Sequence, residues 1–257
     1  MDTRLDGHRA VVTAGAGGLG LHIAGTLSAA GARVFVCDID DTALEGLPEG
    51  IEGSRADVSD PDAVAAWLDP IAREGVDLLV NNAGIAGPTR PVEEISPGEW
   101  RRCLAVGLDG VFNCTRRVVT TMKARRRGAI VNVASTAGIM GMPLRAPYVA
   151  AKFGVIGLTK TLAMELGRHG IRVNAILPGA LTGDRMDRVV AAQAETENRS
   201  EAEIRSTYES GTSMGTFVTP EEVADLVVFL ASDRGSRISG QAIGVDGHTE
   251  TLYPRPV

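Results

Sequence analysis

The beginning of the chain constrains its fold more than any other stretch. "HRAVVTAGAGGLGLHIAGTLSAAGARVFVCDID" reads as strand, glycine turn, helix, strand. Residues 9–13 and 34–37 are short apolar runs, while Leu19, Ile23, Ala24, Leu27 and Ala30 recur at helical spacing between them. Gly15, Gly17 and Gly20 fit G-x-G-x-x-G. Glycines at such places let the backbone turn tightly and approach a pyrophosphate, which then rests on amides at the helix N-terminus. Asp38 closes the second strand, eighteen residues after Gly20, where a carboxylate can accept hydrogen bonds from an adenosine ribose. The glycines alone are a weak signal. Strand, glycines, helix, strand and terminal acid in register are a strong one.

A second cluster supplies chemistry. Tyr148 and Lys152 stand in Tyr-Val-Ala-Ala-Lys, and Ser135 lies thirteen residues before Tyr148. Residues four apart share one helix face, so Lys152 falls one turn beyond Tyr148. A free phenol titrates near ~10 and is a poor base at neutral pH. A neighbouring ammonium favours the phenolate. Ser135 follows the apolar run 128–134, a buried strand whose C-terminal end is where open α/β sheets hold ligands. Alone, Tyr-x-x-x-Lys is more often a surface pair; beside a nucleotide turn it reads as an acid–base set.

Together these residues resemble the short-chain dehydrogenase/reductase family, over almost the whole chain. Thr13–Gly20 is similar to its T-G-x-x-x-G-x-G, with Ala14 in place of the first glycine. Asn81-Asn82-Ala83-Gly84 matches its N-N-A-G, and Ser135, Tyr148 and Lys152 match its catalytic residues. Pro178-Gly179 and the stretch 238–247 match its last landmarks. The resemblance implies a Rossmann-type doubly wound α/β fold with a seven-stranded parallel sheet. It implies a cofactor site of Gly15, Gly17, Gly18, Leu19, Gly20, Asp38, Ile39, Asp57, Val58, Asn81, Ala83, Gly84, Tyr148, Lys152, Pro178 and Gly179. Asp57-Val58 reads equally well as an adenine contact and as a helix cap before Pro61. Two positions depart from the family. Gly107 stands where a catalytic Asn is usual, and the expectation is that water takes the place of the missing side chain. Gly183 stands where many members have Thr, with Thr182 one residue early.

The cofactor expected is NAD. Asp38 is followed by Ile39, Asp40 and Asp41, a cluster that would repel a 2′-phosphate, and no Arg or Lys follows the strand to receive one. The reaction implied is hydride transfer between NAD and a small secondary alcohol or ketone. An NADPH-dependent 3-oxoacyl-type ketoreductase and a catalytically silent NAD-binding regulator are the alternatives. Ile139, Met140, Met142 and Arg145 are candidate pocket residues, Arg145 being more often solvent-facing than a substrate contact.

The remaining features set bounds. With 257 residues and no linker, the expectation is one domain, 1–257. Strands are expected near 9–13, 33–37, 53–56, 77–81, 128–134, 171–177 and 241–245. Helices are expected near 18–30, 61–73, 98–125, 148–168 and 220–231. The polar stretch 180–217 reads as a flap with one or two short helices over the site. Net charge is −6, and Arg125-Arg126-Arg127 is a short run at a helix end, so no nucleic-acid partner is expected. No apolar stretch is long enough for a membrane span, and Cys37, Cys103 and Cys114 have no metal or disulfide spacing. A cytoplasmic protein with reduced cysteines and no metal is expected. Helices 98–125 and 148–168 resemble those through which family members assemble, implying a homo-oligomer, tetramer or dimer.

Overall fold

The computed structural model describes residues 3–252. Seven parallel strands form one sheet in the order β3-β2-β1-β4-β5-β6-β7. They are β1 (Arg9–Thr13), β2 (Arg33–Asp38), β3 (Ile51–Arg55), β4 (Leu78–Asn81), β5 (Gly128–Val133), β6 (Ile171–Pro178) and β7 (Ala242–Val245). Nine α-helices accompany them among the described residues: α1 (Gly18–Ala29), α2 (Asp41–Glu45), α3 (Pro61–Glu74), α4 (Pro97–Leu104), α5 (Gly110–Arg125), α6 (Ala146–Gly167), α7 (Asp184–Glu197), α8 (Glu201–Glu209) and α9 (Pro220–Ala231). This is the doubly wound Rossmann-type α/β fold that the alternation of elements implies.

Each sheet face buries its own core. Val12, Val36, Val80 and Val131 pack with Ile23 and Leu27 of α1 and Val227 of α9. Val11, Leu79, Ile130 and Val173 pack on the other face with Leu68 of α3 and Val118 of α5. Strands covered on both faces are mostly apolar rather than alternating, which made the inner strands β1, β4 and β5 plain in the sequence.

Three boundaries differ from expectation. β3 runs 51–55 rather than 53–56, because Ile51 is its buried anchor and the turn at Gly50 has φ of 88°. The expected single helix 98–125 is two helices joined by a π-helical turn at Ala105–Asp109. Gly110, just after that turn, lies against Val58, and a Cβ there would sit 2.7 Å from a Val58 methyl. The turn thus ends where the helix passes close to the loop after β3. α2 was not expected; it is only five residues long, and Asp40 caps it by accepting from the Ala43 amide.

Candidate active site

The strand order reverses between β2-β1 and β4-β5, so β1 and β4 flank the crevice where open sheets bind ligands. A small network welds their ends. The Thr13 hydroxyl accepts from the Asn82 and Ala83 amides, each at 2.9 Å, and the Asn82 side-chain amide donates to Thr13 O and Ala14 O. Ala14 is thereby held at φ of 50°, a left-handed conformation that suits the family's glycine better than an alanine.

The glycines divide the work of this turn. At Gly15 an added Cβ would meet Val36 at 2.6 Å, and at Gly20 it would meet Ala14 O at 2.0 Å, so both serve close packing. At Gly17 it would meet nothing within 4 Å. Gly17 is also the N-cap of α1, which has neither a capping side chain nor an acid in its first turn. By contrast α3, α4, α8 and α9 all begin with a side chain bonded to their first amides. The start of α1 therefore offers bare backbone donors and a positive dipole end, which fit a pyrophosphate. Asp38 lies at the tip of β2, its carboxylate accepting from Ala16 N at 3.2 Å and Ile39 N at 2.8 Å. These residues fit a dinucleotide.

Asp57 is not the cap of α3. Asp60 is, accepting from the Asp62 and Ala63 amides. Asp57 instead accepts from Ser59 and from Arg102 of α4. Burial raises its pKa, but these hydrogen bonds and the guanidinium charge outweigh that and leave it below the ordinary carboxylate range. The helix-cap alternative is set aside, and Arg102 emerges as a link between the nucleotide end and α4.

On the other side of the crevice the groups are side chains. α6 carries Tyr148 and Lys152 one turn apart, with the Lys152 Nζ 5.7 Å from the Tyr148 ring centroid. Lys152 is 5 % exposed and donates to Val133 O at 2.7 Å. That anchor lies two residues before Ser135, so β5's end draws all three residues into one locality. Ser135 starts a short 3-10 turn, its hydroxyl accepting from Ala137 N at 3.1 Å. Gly84 comes close from β4's exit: a Cβ there would lie 3.5 Å from the Lys152 Nζ.

Asn81 is held by side chains of neighbouring elements. Its side chain is buried and donates to Asn132 Oδ1 of β5 and Thr115 Oγ1 of α5. Asn132 passes the chain on to Thr159 of α6. The Asn81 Oδ1 is buried with no hydrogen-bond partner among the described residues, while Asn82 ties the end of β4 to β1. Pro178 ends β6, and Gly179 packs where a Cβ would lie 2.9 Å from Asp246 Cα. Gly107 lies buried in the π-turn, and a Cβ there would lie 3.2 Å from the methyl of Ala151, beside Lys152. That methyl is the one neighbour within 4 Å of the added atom.

Arg145 is half-buried, not solvent-facing. It stacks over the Tyr148 ring at 5.2 Å and donates to Ala86 O and Thr89 Oγ1. Beside the first turn of α6 a cavity of about 480 Å³ is lined by Arg90, Val92, Met142, Pro143, Leu144 and Val149. Met142 is thus the expected pocket residue found in a cavity wall; Ile139 is exposed. Cys37, Cys103 and Cys114 are buried free thiols. Burial pushes Cys114 up to about 12, and it raises Cys103 against the pull of Arg145 and Lys152. Among the described residues no helix is long and apolar enough to cross a membrane.

Sheet, glycine turn and Tyr-Lys helix together define an oxidoreductase that moves a hydride between a nicotinamide cofactor and an alcohol or ketone. A family model described as enoyl-(acyl carrier protein) reductase matches residues 14–248, and the chain belongs to the short-chain dehydrogenase/reductase family. It is 37% identical over 253 residues to the 3-oxoacyl-[acyl-carrier-protein] reductase FabG of Thermotoga maritima, covering 95% of this chain and 98% of that one. Among solved structures it is similar to an NAD+-bound xylitol dehydrogenase, with TM-score 0.87, 29% identity and coverage of 94% and 98%. It is also similar to a variant of the actinorhodin polyketide ketoreductase with NADPH, with TM-score 0.87, 34% identity and coverage of 93% and 96%.

Proposed function

We propose that the chain, acting as one domain, is an NAD-dependent dehydrogenase of small secondary alcohols, with Ser135, Tyr148 and Lys152 as its catalytic residues. The observation that carries the chemistry is the buried Lys152, fixed by Val133 O one turn from Tyr148. Asp38 at the tip of β2 supports the choice of NAD. When bound, the cofactor supplies the hydride acceptor. The Tyr148 oxygen takes the proton of the substrate hydroxyl, and the Ser135 hydroxyl donates to the carbonyl oxygen as it forms. Lys152 holds positive charge near the phenol, and Arg145 helps fix the ring. The backbone of the Gly15–Gly20 turn, Ile39, Asp57, Val58, Ala83, Gly84, Pro178 and Gly179 lines the nucleotide path. The flap covers the substrate.

Exposed Phe112 on α5 and exposed Phe153 and Met164 on α6 support assembly through these helices. Light scattering should give a homodimer or homotetramer; a monomer at micromolar concentration would remove this part of the reading.

The test of function is NADH formation by the purified protein with a panel of secondary alcohols, and NADH consumption with the matching ketones. Activity in wild type that vanishes in Tyr148→Phe supports the assignment. A wild type inert in both directions, yet binding NAD, favours the regulator. The ketoreductase reading draws support from the similarity to the NADPH-bound polyketide enzyme, and NADPH-only turnover would favour it.

A further inference from the structure

Arg55 ends β3 and is the register partner of Asp38 at the end of β2. Register partners on neighbouring strands project to the same face. Here that face is the one where Val36 and Ile51 pack beneath α1, and where Gly53 meets Leu44 and Leu47. The chain thus brings a guanidinium beside the carboxylate expected to hold the adenosine ribose. It comes from the following strand rather than from the residues just after β2.

The acids nearby are differently committed. Asp38 accepts from three backbone amides, those of Ala16, Ile39 and Asp40. Asp40 caps α2. Asp41 is spent on Arg55: its Oδ1 lies 3.2 Å from the Arg55 Nε, with side chains 69% and 68% exposed. An exposed pair of this kind contributes little and exchanges partners readily. A phosphate dianion, able to accept two parallel N–H bonds, is a stronger partner for a guanidinium than a carboxylate at that distance.

We infer that Arg55 and Asp41 set how far this site tolerates a 2′-phosphate: Arg55 is the cation that receives it, and Asp41 withholds Arg55 from it. The inference rests on the reading that the adenosine ribose lies against Asp38. Repulsion from Asp38 still favours NAD in the wild type; the pair determines the size of that preference rather than its sign.

The test is calorimetric titration of the whole protein with adenosine 2′,5′-bisphosphate and with 5′-AMP, needing no turnover. The readout is the ratio of their affinities. Asp41→Asn should shift that ratio toward the bisphosphate by about two- to fivefold, the scale of one exposed ion pair. The shift should disappear in Asp41→Asn/Arg55→Met and largely survive in Asp41→Asn/Arg55→Lys. A shift that persists without Arg55 would show mere relief of repulsion and overturn the inference, as would no shift in Asp41→Asn. A wild type already favouring the bisphosphate would defeat the NAD reading instead. Arg55→Met then decides separately: loss of the preference supports the role of Arg55, and retention overturns it.

Discussion

The two rims of the crevice are built on opposite plans. On the β1–β2 side the nucleotide turn is backbone: bare amides at α1, glycines chosen for what they lack, and an alanine held left-handed. On the β5–α6 side the site is side chains set on a helix, with Lys152 buried and tied to the strand. Substitutions on the first rim act through space and strain. Those on the second remove a chemical group while leaving the scaffold in place.

The largest effect separates the rims by function. Tyr148→Phe should lower turnover by about 10²–10⁴-fold and leave nucleotide affinity nearly unchanged in a fluorescence titration. A parallel loss of binding would mean the rims are not independent. Next, two glycines three residues apart should diverge. Gly20→Ala forces a methyl to within 2.0 Å of Ala14 O and should cost about 1–3 kcal/mol in urea unfolding, the scale of overpacking. Gly17→Ala meets no atom, so it should keep its stability and weaken nucleotide binding. Equal unfolding midpoints for the two would break the division of labour among the glycines.

A pH experiment probes the tie between the loop after β3 and α4. Asp57 sits below the ordinary carboxylate range because Ser59 and Arg102 outweigh the effect of burial. A depressed pKa means its contribution to stability is present above the unfolded value and is lost as pH falls through the folded one. The stability advantage of wild type over Asp57→Asn should therefore shrink below about pH 4, measured by urea midpoints across pH. An advantage independent of pH would assign Asp57 to packing alone. The smallest effect is Ala14→Gly. Relief of about 1–2 kcal/mol of left-handed strain, less the extra freedom glycine gives the unfolded chain, should raise stability by about 0.5–1 kcal/mol.

The sheet was legible because doubly covered strands are continuous apolar runs, and the glycine turn because its spacing is dictated by backbone geometry. Tyr148, Lys152 and Ser135 were legible because a helical turn and a strand end relate them locally. The residues that escaped are those whose partners come from other elements. Arg145 reads as a surface residue until Ala86 and Thr89 return to meet it. Arg102 and Asp57 are joined only by tertiary packing, and the cap of α3 is three residues later than Asp57 because Pro61 occupies the first helical position. The π-turn hides in the same way, since helical periodicity runs across it and its close neighbours, Val58 and Ala151, come from other elements.

The flap invites a different kind of conclusion. α7 and α8 enclose Val190, Ala194 and Ile204, with Met186 and Tyr208 packed against them, as a small core apart from those of the sheet. Gly183 at φ of 116° precedes this unit and Gly215 at φ of 62° follows it. A segment that buries its own apolar residues can change its outward ones without disturbing the layers beneath, so long as residues 211–214 keep their backbone bonds to 247–250. Its outward residues are thus free to diverge while the glycine turn and the Tyr-Lys helix stay fixed.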